Sequence, residues 1–278
     1  MSEYSIVVGL GNPENVGRLM QVGCMMAVEY GGSVEGVTVV DVGCGAPETT
    51  PECHDRMSRA YGILDEAQRI ADLSGTRYTA HLAIGRPVAE MLEEVAQATG
   101  AGLIVVGFSE REHPEGGNGD FHRLVDEIAA RAPCNLLVAR FVGDARYDRV
   151  LVPVRARLDL DVRRDLLIAL QNRFESRIEV VHFASTEAEA EEMRDELERW
   201  LVDRGVADRM SHRTEVREDS GQAIVDASAD YDLVVIGTAP LHEVRRKLFG
   251  PVSEHVANHA HCSTFLIRTR DVKYRPKG

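Results

Sequence analysis

Short apolar runs alternate along this chain with longer stretches in which apolar positions recur every three or four residues. Ser5-Ile-Val-Val-Gly-Leu10 is continuously apolar, as expected of a strand covered on both faces. Asn12-Pro13-Glu14 then reads as a helix start, with Asn to cap, Pro at the first helical position and an acid in the first turn. The spacing predicts a helix to Glu29 that buries Met20, Cys24, Met25 and Val28 and stops at Gly31-Gly32. Further strands are expected at Gly36–Val42, Arg77–Ala83, Leu103–Gly107 and Asn135–Ala139. Helices are expected between them at Asp55–Leu73, with Ile63, Ala67 and Ile70 on one side, and at Pro87–Ala98 and Phe121–Ala130. Strands separated by helices require right-handed crossovers, and so a mostly parallel, doubly wound sheet.

The second half repeats this plan. Ile6-Val-Val-Gly-Leu10 matches Val150-Leu-Val-Pro-Val154, and Gly102-Leu-Ile-Val-Val-Gly107 matches Asp232-Leu-Val-Val-Ile-Gly237. Ala132-Pro-Cys134 leading to Arg140 matches Ala260-His-Cys262 leading to Arg268, with the same Cys-to-Arg spacing. Helices fall at about 160–172, 186–203, 220–229 and 251–259, and strands near 177–183 and 213–217. With Gly143–Tyr147 as the linker, the expected architecture is α/β: two tandem five-stranded parallel-sheet domains over 1–142 and 147–270. Cys134 and Cys262 then become one small buried residue at a strand entrance, repeated.

Charge narrows the partners. Forty-five acidic against 32 basic residues give a formal net charge of -13, which opposes binding to nucleic acid. Lysine occurs only at Lys247, Lys273 and Lys277. An acidic, arginine-based surface suits a salt-rich cytoplasm and points to a halophilic source, the alternative being an acidic protein with a high-GC codon bias. No apolar stretch is long enough to span a bilayer and no basic flank opens the chain, so a cytoplasmic location is expected. Five cysteines without a Cys-x-x-Cys pair read as thiols, not a disulfide framework. Cys44, Cys53 and His54 lack a fourth ligand for structural zinc, and His255 with His259 shares a helical face but lacks a third.

The most informative stretch runs from Asp232 to Arg268: strand, glycine turn at Gly237, loop, Gly250 opening a helix, strand. A glycine at a strand end allows a sharp turn, and one before a helix leaves amide N–H groups where an anion can sit. Two repeats, each ending Val-(Val/Ile)-Gly, loop, Gly-x-x-(Ser/His), helix, x-Cys, strand, resemble a tandem universal stress protein over essentially the whole chain. That resemblance implies an adenine nucleotide alpha hydrolase-like fold and a regulatory role without catalysis. Nucleotide-binding members carry Gly-x-x-Gly, nine residues, then Gly-(Ser/Thr), and an Asp after the first strand. Here Gly11 and Arg155 stand where that Asp would be. In the second half Gly237 and Gly250 have the right separation, but Pro240 and Pro251 replace two donors. In the first half Gly107 and Gly119 are one residue too close, and Glu110 and Asp120 oppose a phosphate.

The resemblance therefore implies weak ATP, ADP or AMP binding in the second half only, through Gly237, Thr238, Gly250, Val252 and Ser253, with Arg245, Arg246 and Lys247 on the loop between. It also implies self-association through strand five, or an internal pseudo-dimer. Asn12-Pro13-Glu14 is similar to stress-protein domains found with permeases and antiporters, so a membrane transporter is one expected partner. Val8-Gly-Leu-Gly-Asn-Pro13 also resembles the opening of peptidyl-tRNA hydrolase, but the first histidine is His54, too late for that family's catalytic position. A P-loop, a full Rossmann fingerprint and a defensible Ser-His-Asp set are all missing from the sequence.

Overall fold

The computed structural model describes residues 4–41, 50–108, 119–156, 158–237 and 250–269, with the backbone alone at 119–122, 158, 159, 161 and 162. The chain divides into two compact units, Met1–Ala139 with Thr269–Gly278, and Arg140–Arg268.

In unit 1 the strands are β1 (Ser5–Gly9), β2 (Ser33–Val40), β3 (Arg77–Ile84), β4 (Leu103–Phe108) and β5 (Asn135–Arg140). Their order is β3-β2-β1-β4-β5, and β1 pairs in parallel with both β2 and β4. Helices α1 (Val16–Tyr30), α2 (Pro51–Leu73), α3 (Val88–Thr99) and α4 (Gly119–Arg131) make the crossovers. Ile6, Val7 and Val8 are fully buried, which is why the strand reads as an uninterrupted apolar run.

The predicted helix starts and stops have clear local causes. Asn12 accepts from the Glu14 N–H, but it caps a 3-10 turn at Pro13–Asn15 that precedes α1. Gly31 closes α1 with φ 62°, a left-handed conformation that a side chain would strain. Helix α2 begins four residues before the expected Asp55: Thr50 caps it through Cys53 N–H, with Pro51 at its first position. Val28, expected in the core, is 58% exposed, because Cys24 and Ala27 complete the buried stripe and Val28 falls beside it. Ile70 is half-buried, at the edge of the α2 face that Ile63 and Ala67 bury.

Unit 2 contains β6 (Arg149–Pro153), β7 (Arg177–Ala184), β8 (Met210–Val216), β9 (Leu233–Gly237) and β10 (Ser263–Arg268), ordered β10-β9-β6-β7-β8 with parallel pairing throughout. Its helices are α5 (Leu158–Phe174), α6 (Glu187–Asp203), α7 (Ser220–Ala227) and α8 (Pro251–His259). Strand β8 starts three residues earlier than the apolar pattern indicated, its middle residues being half-exposed and polar. The predicted linker ends inside the core of this unit: Tyr147 is buried between Phe174 and Phe265, with ring centroids 4.9 and 5.7 Å away.

In each unit the first strand lies between two neighbours whose helices leave in opposite directions along the sheet. Such a switch point opens a crevice at the carboxyl ends of the strands. In unit 1 it falls between β1 and β4, and in unit 2 between β6 and β9.

Candidate functional site

Both crevices are cavities of similar size but different chemistry. The unit 1 cavity, about 400 Å³, is lined by Gly9, Gly11 and Gly107 at the strand ends, by Asn12 and Asn15, and otherwise by aliphatic side chains such as Leu19, Val37 and Leu92. Among its described lining residues none is charged. The unit 2 cavity, about 390 Å³, is lined by Arg155, Arg163, His182, Glu189, Ser220 and Ser253, together with Gly237, Gly250 and Val252.

Four of the five residues expected from the sequence therefore line one cavity: Gly237, Gly250, Val252 and Ser253. Thr238 lies outside the described residues, as do Glu110, Pro240, Arg245, Arg246, Lys247 and Cys44. Gly237 ends β9, and Gly250 precedes α8 as its N-cap with φ -71° and ψ 165°. That extended conformation suits a capping side chain, but glycine has none, and α8 has no side-chain cap. Pro251 at the first helical position removes one N–H, so Val252 and Ser253 supply the open backbone donors at the positive end of the helix. The Ser253 hydroxyl is already engaged, donating to the Gly237 carbonyl at 3.3 Å, and toward a ligand it can act only as an acceptor. Val252 is 38% exposed at the mouth.

Arg163 was not anticipated as a site residue. It is 3% exposed, and Nη1 donates to the Pro153 carbonyl at 2.6 Å and, at 3.4 Å, to that of Val235. Its guanidinium lies against Gly237, where a Cβ would come within 2.6 Å of Nη2. Glycine at 237 thus has a packing reason besides a turn: it admits an arginine beside the strand end. The signal was present, since Leu160, Arg163, Leu167 and Leu170 share one helical face and three of the four are leucines. A buried guanidinium is costly unless paired, so an arginine on such a face marks a site.

His182 and Glu189 were also missed. His182 is 3% exposed on β7, with Nδ1 2.9 Å from the Val154 carbonyl oxygen and Nε2 3.4 Å from Glu189 Oε1. Glu189 sits in the first turn of α6, where its other oxygen accepts from Ser185 N–H at 2.8 Å. That bond, followed by the opposing effect of burial and then the charge of His182, holds the Glu189 carboxyl below its ordinary pKa.

Cys53 and His54 lie in the first turn of α2, and His259 Nδ1 is turned to the His255 carbonyl oxygen at 2.8 Å. Among the described residues no group of three potential ligands converges. Nor is any described helix long and apolar enough to cross a membrane. Burial pushes the Cys262 thiol up to about 12, so it is a packing residue and not a nucleophile.

Comparison with known proteins agrees with this geometry. No curated protein matches the chain. Among solved structures, a universal stress protein from Archaeoglobus fulgidus DSM 4304 superposes with a TM-score of 0.64 at 12% identity, covering 95% of this chain and 97% of that one. The cytoplasmic domain of a prokaryotic cation chloride cotransporter gives 0.65 at 12% identity, covering 96% of each. These likenesses establish a shared fold. The sequence profile of the universal stress protein family matches twice, over residues 4–140 and 146–268, and so this chain belongs to the universal stress protein family, with two tandem copies of its domain.

Proposed function

We propose that unit 2 is a nucleotide-sensing module that binds ATP, ADP or AMP through Gly237, Gly250, Val252 and Ser253, with Thr238 beside them, and acts by regulation without catalysis. The observation that carries this reading is the gathering of Arg155, Arg163 and the uncapped end of α8 in one cavity of a chain whose net charge is -13. Elsewhere such a chain repels anions; here two guanidinium groups and a helix dipole favour one. Binding is weak, because Pro251 lacks an N–H and the Ser253 hydroxyl is committed to Gly237. Unit 1 does not share the activity, since the described walls of its cavity are aliphatic and uncharged toward a polyanion.

The acidic, lysine-poor composition supports a salt-rich setting, so the test belongs at molar salt. Titration calorimetry with ATP and with AMP, each with magnesium, is expected to give one binding event per chain, lost in Arg163→Leu. No heat and no thermal shift at millimolar nucleotide ends the reading.

A second reading is a nucleotide-independent module that binds a transporter, as the cotransporter's cytoplasmic domain has this fold. The unit 1 cavity, uncharged among its described lining residues, favours it, because there the scaffold is kept with aliphatic walls. Co-purification with a membrane transporter that survives Gly250→Asp supports this reading; co-purification that requires nucleotide supports the first.

A further inference from the structure

The aliphatic cavity of unit 1 has a charged neighbour. Gly11 and Val39 line it and also line a smaller hollow of about 250 Å³, so the two spaces adjoin at the carboxyl end of the sheet. The larger chamber is bounded by the buried side chains of Leu19, Val37, Leu92, Val106 and Ile128, drawn from α1, β2, α3, β4 and α4. The smaller hollow is lined by Thr38, Asp41, Arg56 and Arg59, together with Ala60 and Ile63 of α2.

Thr38 spends its hydroxyl on the Leu10 carbonyl at 3.0 Å. Arg56 Nη1 donates to the Asp41 carbonyl oxygen, which anchors that guanidinium at the strand end. The other N–H groups of Arg56, and the whole guanidinium of Arg59, make no hydrogen bond or ion pair among the described residues. Two guanidinium groups against the one carboxylate of Asp41 leave the hollow net positive, in a chain of net charge -13. Gly11 joins the two spaces because it has no side chain: a Cβ there would meet nothing within 4 Å. This is the position at which unit 2 carries Arg155.

We propose that unit 1 binds an amphipathic monocarboxylate, with its aliphatic chain in the chamber and its carboxylate held by Arg56 and Arg59 across Gly11. A carboxylate inside the chamber would be buried without a partner; at the exposed arginines it is both paired and hydrated. A nucleotide suits the chamber poorly, because aliphatic walls leave the polar groups of base and ribose without hydrogen bonds. The proposal stands apart from nucleotide binding in unit 2.

The test is calorimetric titration of the full chain at pH 8 with butanoate, hexanoate and octanoate, and with octyltrimethylammonium as the same chain with opposite charge. Each added methylene is expected to tighten binding about fourfold. Octanoate is expected to bind about tenfold more tightly than the cation, whereas adventitious adsorption to a chain of net charge -13 has the opposite order. Arg56→Gln combined with Arg59→Gln changes two exposed residues of α2 and should weaken octanoate about fivefold, with the dependence on chain length intact. Gly11→Asp has room for its side chain and sets a carboxylate in the passage, so octanoate binding is lost while the urea midpoint holds. Affinity that does not grow with chain length overturns the proposal, since it puts the carboxylate on the surface arginines alone. Preference for the cation, octanoate affinity unchanged in the double variant or in Gly11→Asp, or no binding at millimolar octanoate overturns it as well.

Discussion

Leu19 in unit 1 and Arg163 in unit 2 lie on equivalent helices, 144 positions apart, and each packs against the glycine at or next to the end of the fourth strand of its unit. Leu19 is 2% exposed and brings Cδ1 within 3.3 Å of where a Gly107 Cβ would stand. Arg163 brings its guanidinium to the same place against Gly237. Away from the crevices the two units agree in kind: Glu35 on β2 pairs with His81 on β3 at 2.8 Å, and Glu179 on β7 pairs with Arg213 on β8 at 2.9 Å. Their scaffold pairs keep the same polarity, while the crevice has exchanged Leu19 for Arg163. The fold accepts such an exchange because the crevice lies at strand ends, outside the ladder of backbone hydrogen bonds.

Converting one crevice to the other gives the largest effect. Arg163→Leu gives unit 2 the residue of unit 1 and is expected to lower nucleotide affinity about a hundredfold, by loss of charge-assisted hydrogen bonds. The same change takes the donor from the Pro153 carbonyl but also removes a buried charge whose desolvation opposes folding; the two effects offset, and stability is expected to stay within about 1 kcal/mol of the parent. Calorimetry and urea unfolding on one preparation measure both. Undiminished binding would break the contrast between the units; a stability loss would mean that the guanidinium holds β6 and β9 together through Pro153 and Val235.

The paired glycines come next. In Gly237→Ala the new Cβ meets the guanidinium at 2.6 Å, with little room to yield because Nη1 is fixed on the Pro153 carbonyl. Disturbing that bond costs about 1–3 kcal/mol. Gly107→Ala meets only a leucine methyl at 3.3 Å and is expected to stay within about 1 kcal/mol of the parent. Equal effects from the two, read as shifts of the urea midpoint, would show that the glycines serve the turn alone.

How far this could be read from sequence follows from the same contrast. Strands, helices and the duplication were legible because buried parallel strands are uninterrupted apolar runs and because Gly31 and Pro51 punctuate in standard ways; the start at Thr50-Pro51 repeats the signal at Asn12-Pro13 and was passed over. Gly237 and Gly250 were legible as a spacing. Arg163 was readable in principle, as one charge among the leucines of an α5 face, but only if a buried charge is sought and not averaged away. His182 was harder, since a histidine among the alternating residues of β7 is more often a satisfied core side chain. That the Ser253 hydroxyl would be committed to Gly237 depends on two elements meeting in space, which spacing along the chain does not encode.

Cysteines test the structural half of the duplication. Cys262 is buried and its thiol pushed up to about 12, first by burial and then by the Asp232 charge, whereas Cys134 is half-buried. The raised value means that the folded state favours the protonated thiol. Its contribution is complete below the ordinary thiol range near 9 and is lost as pH rises from there to about 12. Stability measured by urea unfolding should fall across that window, less so in Cys262→Ala. At pH 8 a thiol reagent should modify Cys134 well before Cys262, and equal rates would show the two strand entrances to be alike.

The smallest effect on stability separates the helix end from the arginines. Gly250 has open space around a Cβ and an extended conformation suited to an N-cap, so Gly250→Asp can accept from the open N–H of Ser253 without strain. Replacing glycine at such a cap contributes only a few tenths of a kcal/mol, with a further small gain from a negative charge beside the helix dipole. The carboxylate takes the place a phosphate would take, and nucleotide affinity should fall about tenfold while the urea midpoint rises slightly. Should affinity stay unchanged, the phosphate is held by Arg155 and Arg163 and not by α8. The chemistry that separates unit 2 from unit 1 would then reside in its side chains, with the shared strand, glycine and helix serving only to hold them in place.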